Sequence, residues 1–144
     1  MVISDVIADK GRHVATLRPT DTVVRAVALL AERRIGAVVI EDAWQKLAGI
    51  FSERDLVRLL AHDGPGVLDR QLSEVMTHNV ITCRAEDRID DVLRVMTSNK
   101  VRHVPVMESG HLAGIVSIGD LVNKRLVEKQ QEAEVLLEIS RMRA

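Results

Sequence analysis

The sequence predicts a mixed α/β (α+β) chain made of two copies of one βαββα-type unit, and three observations carry that expectation. Sliding the chain along itself lays residues 47–57 (LAGIFSERDLV) over residues 112–122 (LAGIVSIGDLV), with eight of eleven positions identical. The match continues upstream in order, with Thr16 over Thr82, Arg18 over Arg84, Asp21 over Asp87 and Ile35 over Val101, and Ser4-Asp5-Val6-Ile7 resembles Ser73-Glu74-Val75-Met76. Chance similarity rarely keeps its order over such a span. The chain is 47% apolar, yet Trp44 and Phe51 are its only aromatic residues, so its core must come from aliphatic side chains suited to buried strands and helices. Finally, His62-Asp63-Gly64-Pro65-Gly66 is dense in helix breakers and separates the copies. The expected organisation is a first repeat at 1–65 with an N-terminal lead-in helix, and a second at 66–144 with the linker and a long C-terminal helix.

Within each copy the order reads as a helical lead-in, an extended segment, a helix, two strands joined by a turn, and a second helix. Residues 13–17 are the extended segment of copy one. Pro19-Thr20-Asp21 then offers capping side chains to a helix whose Val23, Val27 and Leu30 share a face. Copy two repeats this with residues 80–82, Asp87 as the cap, and Ile89, Val92, Val95 and Met96 along its helix. The β-branched runs 37–40 and 103–107 read as strands. Their partners, 47–51 and 112–116, follow turns containing Glu41-Asp42 and Ser109-Gly110. Residues 120–144 carry almost no breaker and read as one long helix. Its Val135, Leu136, Ile139 and Met142 either pack on the same chain or enter a subunit interface.

Composition narrows the function. A net charge of −1 with both signs interspersed leaves no basic tract for a phosphate backbone, which disfavours nucleic acid as the main partner. No long apolar run or signal-like start is present, so a cytoplasmic protein without membrane contact is expected. Cys83 stands alone and reads as a buried thiol.

Both copies place Gly-Ile-x-Ser-x-x-Asp-Leu, at 49–56 and 114–121, where a strand gives way to a helix. A helix start offers free N–H groups and a partial positive potential suited to an anion. An adjacent carboxylate can accept hydrogen bonds from both hydroxyls of a ribose. The same spacing also describes a capping box, in which Ser52 or Ser117 caps and the acid reaches back. Spacing leaves both readings open.

These paired elements, with the Val101-Arg102-His103-Val104-Pro105-Val106 segment and the unit length, resemble a tandem pair of cystathionine-β-synthase (CBS) domains, a Bateman module. The resemblance implies repeats related by a pseudo-two-fold axis, with two clefts that bind AMP, ADP, ATP or NAD, or alternatively S-adenosylmethionine, and a homodimer that signals to a separate regulated protein. Carried over by residue, it implies ribose contacts from Asp55 and Asp120 and ribose or phosphate contacts from Ser52 and Ser117. Thr16 and Thr82 would line the adenine pocket with Ile35, Ala37, Val101 and Val104, beside Gly36 and Pro105.

The copies differ at the motif. Arg54 could meet a phosphate where copy two has Gly119, which instead lets a ligand approach the backbone. Lys100, Arg102 and His103 stand where copy one has Arg34, Gly36 and Ala37. Two sites of unequal affinity, or one taking a longer dinucleotide, are expected. Hydrolase, phosphate-loop and dinucleotide motifs are missing, and no second ligand accompanies His103 at metal spacing, so neither catalysis nor a metal is expected. The alternative is a docking or dimerisation module whose clefts bind nothing.

Overall fold

In the computed structural model, which describes residues 1–143, the chain forms two three-stranded sheets of the same topology. Ala144, the last residue of the expected tail helix, lies outside the described residues. Helix α1 (Ile3–Lys10) precedes β1 (Thr16–Leu17), α2 (Val23–Arg33), β2 (Ala37–Glu41), β3 (Leu47–Ser52) and α3 (Glu53–Asp63). A 3₁₀ turn (Pro65–Asp69) leads to α4 (Leu72–Val75), β4 (Cys83–Arg84), α5 (Ile89–Asn99), β5 (His103–Glu108), β6 (His111–Ser117) and α6 (Ile118–Met142). In each sheet the middle strand pairs parallel with the short first strand and antiparallel with the third.

Each sheet is buried on both faces because its middle strand is apolar on both. On β2, Val38 and Ile40 join the core of copy one, while Ala37 and Val39 on the opposite face are buried outside that cluster. Just before β2 the copies approach closely: a Cβ built on Gly36 would sit 2.8 Å from the His103 ring. Helix α2 buries Val23, Ala26 and Leu30, with Val27 partly buried. In α5, Ile89, Val92 and Met96 are buried but Val95 is 40% exposed, because its position falls at the edge of the face that the other three define.

The expected caps are corrected by one residue. Thr22 caps α2 by accepting the Arg25 N–H, and α5 follows Arg88 with no side-chain cap. Asp21 and Asp87 instead accept the N–H groups of Arg18 and Arg84, closing the preceding turns at 2.7 and 2.8 Å. Short Asp side chains satisfy such turns as readily as they do helix ends.

The lead-in helices are exchanged between the copies. Ile3, Val6 and Ile7 of α1 sit in the core of copy two, where Ile3 N–H donates to Asp87 O and Ser4 N–H to Ala85 O. Conversely, Leu72 and Met76, around α4, complete the core of copy one, and Leu72 N–H donates to Asp21 O. Glycine makes both dockings possible. A Cβ on Gly49 would lie 2.5 Å from Met76 Sδ, and one on Gly114 would lie 2.7 Å from Ile7 Cδ1. Cys83 is buried in the same core as α1; burial, then the charge of Asp87, pushes its thiol up to about 12.

Candidate functional site

The Ser-x-x-Asp elements make capping boxes at both strand-to-helix corners, since each sequence places a short hydroxyl and an acid three residues apart at a helix start. At the first corner Ser52 Oγ accepts the Asp55 N–H, and Asp55 Oδ2 accepts the Ser52 N–H at 2.8 Å and its hydroxyl at 3.0 Å. Asp55 Oδ1 has no partner among the described residues. Capping therefore uses one carboxylate oxygen and leaves the other free for a ligand.

Asp55 lines a cavity of about 590 Å³ between the copies. Copy one supplies Gly36, Ile50 and the start of α3; copy two supplies the segment after α4 and the turn from Asn99 to His103. Arg54, Arg58, Lys100 and Arg102 bring four cations to its wall against the carboxylates of Glu53 and Asp55, an excess suited to an anionic guest. Val80, Ile81 and Val101 add an apolar surface. Lys100 holds a left-handed backbone at φ 55°, and the corresponding Arg34 does so at φ 53°. Such a conformation in a side chain with a Cβ is uncommon and costs about 1 kcal/mol.

Of the residues singled out from sequence, Gly36, Ser52, Arg54, Asp55, Lys100, Val101, Arg102 and His103 meet at this cavity. Thr16, Ile35, Ala37, Thr82, Val104 and Pro105 do not line it. Ala37, Val104 and Pro105 are buried in the protein interior, and Thr16 and Thr82 are exposed at or beside the short strands β1 and β4. Ser117, Gly119 and Asp120 belong to the other corner. Arg58, Thr77 and Asn79 line the cavity without having been singled out. Arg58 lies one turn beyond Arg54 on the same helix face, a signal readable in the sequence. Thr77 and Asn79 depend on the α4 exchange, which no periodicity reveals.

The second corner has the same cap and a different occupant. Ser117 Oγ accepts the Asp120 N–H at 3.1 Å, and Asp120 Oδ2 accepts the Ser117 N–H at 2.9 Å. Lys10, at the end of α1, donates to Asp120 Oδ2 at 2.6 Å and to Ile115 O at 2.9 Å. Burial raises the Asp120 pKa, but the Lys10 ammonium and the Ser117 donors more than offset it, so the carboxyl ends below its ordinary value. His103 lies between the corners. Burial disfavours its imidazolium, Lys10 and Arg102 repel it, and Asp120 and Glu53 only partly compensate, so its pKa is lowered.

Two α/β repeats with exchanged lead-in helices and a cation-lined cleft between them define a tandem-repeat α/β scaffold. The CBS domain model matches residues 3–62 and 72–126, and the chain belongs to the CBS domain family. Its fold is similar to that of the CBS-domain containing protein ATU1752 from Agrobacterium tumefaciens, at 42% identity and a TM-score of 0.84 over 87% of this chain and 99% of that one. It is also similar to the CBS domain pair of protein MJ0100, solved with 5′-methylthioadenosine and S-adenosyl-L-methionine, at 25% identity and a TM-score of 0.77 over 90% and 98% of the two chains. A third similar structure is the Pyrobaculum aerophilum CBS domain protein PAE2072 complexed with AMP, at 26% identity and a TM-score of 0.74 over 83% and 89%. Among the described residues no helix is long and apolar enough to cross a membrane, and no cluster of three or more metal-ligating side chains occurs.

Proposed function

We propose that this chain is a ligand-sensing regulatory module that takes an adenosine-containing nucleotide into the cavity at the first corner. The observation that carries the reading is Asp55, with one carboxylate oxygen unpartnered, in the wall of a cavity lined by cations. In this reading Asp55 Oδ1 accepts from the ribose hydroxyls, Ser52 stands beside them, and Val80, Ile81 and Val101 cover the base. Arg54, Arg58, Lys100 and Arg102 receive the phosphates, which favours AMP, ADP, ATP or NAD over S-adenosylmethionine, whose sulfonium is itself cationic. The adenosine ligands of the MJ0100 and PAE2072 structures support the ligand class. Regulation then requires that the nucleotide prefer one conformation or assembly of the module over another, with the response read by a separate protein.

A thermal-shift panel of AMP, ATP, NAD and S-adenosylmethionine tests the reading. A ligand that binds only the native chain stabilises it by about 2.7 kcal/mol at a hundredfold excess over Kd. The expected result is stabilisation by the phosphorylated members without turnover. No shift with any member would leave the docking reading, and product formation would make the chain an enzyme.

Assembly is supported by a separate observation. Every residue from Lys129 to Arg143 is exposed, including Val135, Leu136, Leu137, Ile139 and Met142. A projecting helix of this length is marginal alone in water and gains stability by covering its apolar face. A second copy of the chain is the proposed cover, checked by measuring mass in solution before and after Leu136→Glu.

A further inference from the structure

The two corners are equal in fold and unequal in occupancy. Their caps match, and each acid keeps an Oδ1 without a partner among the described residues, yet Asp55 lines a cavity of about 590 Å³, whereas the chain's own ammonium bonds Asp120 Oδ2 and shares with Asp120 the wall of a smaller cavity of about 230 Å³. The difference traces to one aligned position. Ser4–Ile7 lies over Ser73–Met76, so three residues further on Lys10 lies over Asn79, a neutral side chain on the cavity wall. Around it the backbone also differs. At the first corner Ile50 O accepts the Thr77 N–H at 3.0 Å; at the second, α1 stays helical through Lys10 and the lysine Nζ itself serves the corresponding Ile115 O.

We infer that Lys10 is an internal occupant of the second corner, its ammonium standing on Asp120 Oδ2 and Ile115 O where a nucleoside would otherwise enter, and that it leaves the chain one open nucleotide cleft. The ammonium has three donors and spends two of them here, on groups that are a carboxylate and a carbonyl, the acceptors suited to hydroxyl and amine groups of a ligand. Its placement is secured on both sides. Asp9, the preceding residue, receives Lys124 Nζ at 2.5 Å, and Gly11 ends the helix at φ 99° with its N–H on Ile7 O. The pair is only partly exposed, 34% for the Lys10 side chain and 28% for that of Asp120, so solvent screens it incompletely. A ribose entering the second corner must displace the ammonium that stands there or meet a carboxylate whose charge is already compensated, neither of which the first corner imposes.

This inference rests on the nucleotide reading above, and AMP stoichiometry separates the two. Titration calorimetry and native mass spectrometry of the full chain should give one AMP per chain, lost in Asp55→Ala and kept in Asp120→Ala. Lys10→Asn, which installs the residue of the first corner, should give two, and adding Asp120→Ala should return it to one. Lys10→Met, which keeps the aliphatic stem and loses the donors, should behave like Lys10→Asn if the latter unfolds. Two AMP on the native chain, or one on both folded Lys10 variants, overturns the inference and spares the nucleotide reading. No AMP on any variant overturns both, and AMP bound only after Lys10 is replaced overturns the open first cleft while keeping Lys10 as the occupant of the second.

Discussion

The two corners differ as a lock differs from a latch: the first presents an acid to a cavity, while the second holds its acid against the end of α1. Their scaffolds agree in sheet topology, in the Ser caps and even in the left-handed Arg34 and Lys100 that end α2 and α5. The comparison teaches that duplication preserves what folding needs, strand order and caps. The groups around the caps are freer to diverge, because a cap can be satisfied with or without a cation nearby.

The largest expected effect breaks the symmetry outright. Asp55→Ala should weaken AMP binding by about 100-fold, the scale of a lost hydrogen bond to a charged group, while Asp120→Ala leaves the affinity of the first ligand unchanged. Calorimetry on both variants checks it; equal losses would erase the distinction. Next, Gly49→Val and Gly114→Val should each lower stability by about 2 kcal/mol, since each added side chain strikes an exchanged segment. Urea unfolding should find them similar, showing that the scaffolds remain alike where the clefts do not. Smaller still, Ser52→Ala and Ser117→Ala should each cost about 1 kcal/mol through the lost caps. A markedly larger loss at Ser117 would mean that the second corner depends on its cap more than the first.

The smallest effect concerns acid. The native Asp120 carboxyl has a lowered pKa, so as pH falls the unfolded chain takes up this proton first. Its contribution to stability is complete above the ordinary value of 3.8 and disappears as pH falls through the lower native value. The stability gap between the native chain and Lys10→Asn should therefore shrink over that window. A gap independent of pH would show that the ion pair is not its source.

Much of this was legible in the sequence. The repeat, the breakers at 62–66 and the alternation of apolar runs foretold the strands, the helices and both corners, because these depend on neighbours close in the chain. The exchange of α1 and α4 was not legible: Ile3, Val6 and Ile7 mark a face that must be buried without marking which copy buries it. For the same reason nothing in the sequence singled out Lys10, and Thr77 and Asn79 carried no sign of the cavity they border. Thr16 and Thr82 occupy equivalent positions, yet equivalence in a repeat does not fix which side of a two-residue strand meets a guest.

One consequence of the helix exchange reaches beyond either corner. Severing the chain at the linker would give two fragments, each carrying a hydrophobic peg cut for its sibling and missing the peg it requires, so the smallest autonomous unit is the couple rather than the single repeat. The segment that closes one half also borders the cavity, through Thr77 and Asn79, and the segment that closes the other ends in the lysine at Asp120. Each border is therefore continuous with a piece of hydrophobic interior belonging to the opposite half of the sequence, and under the proposed function a guest that moves it would act on that interior.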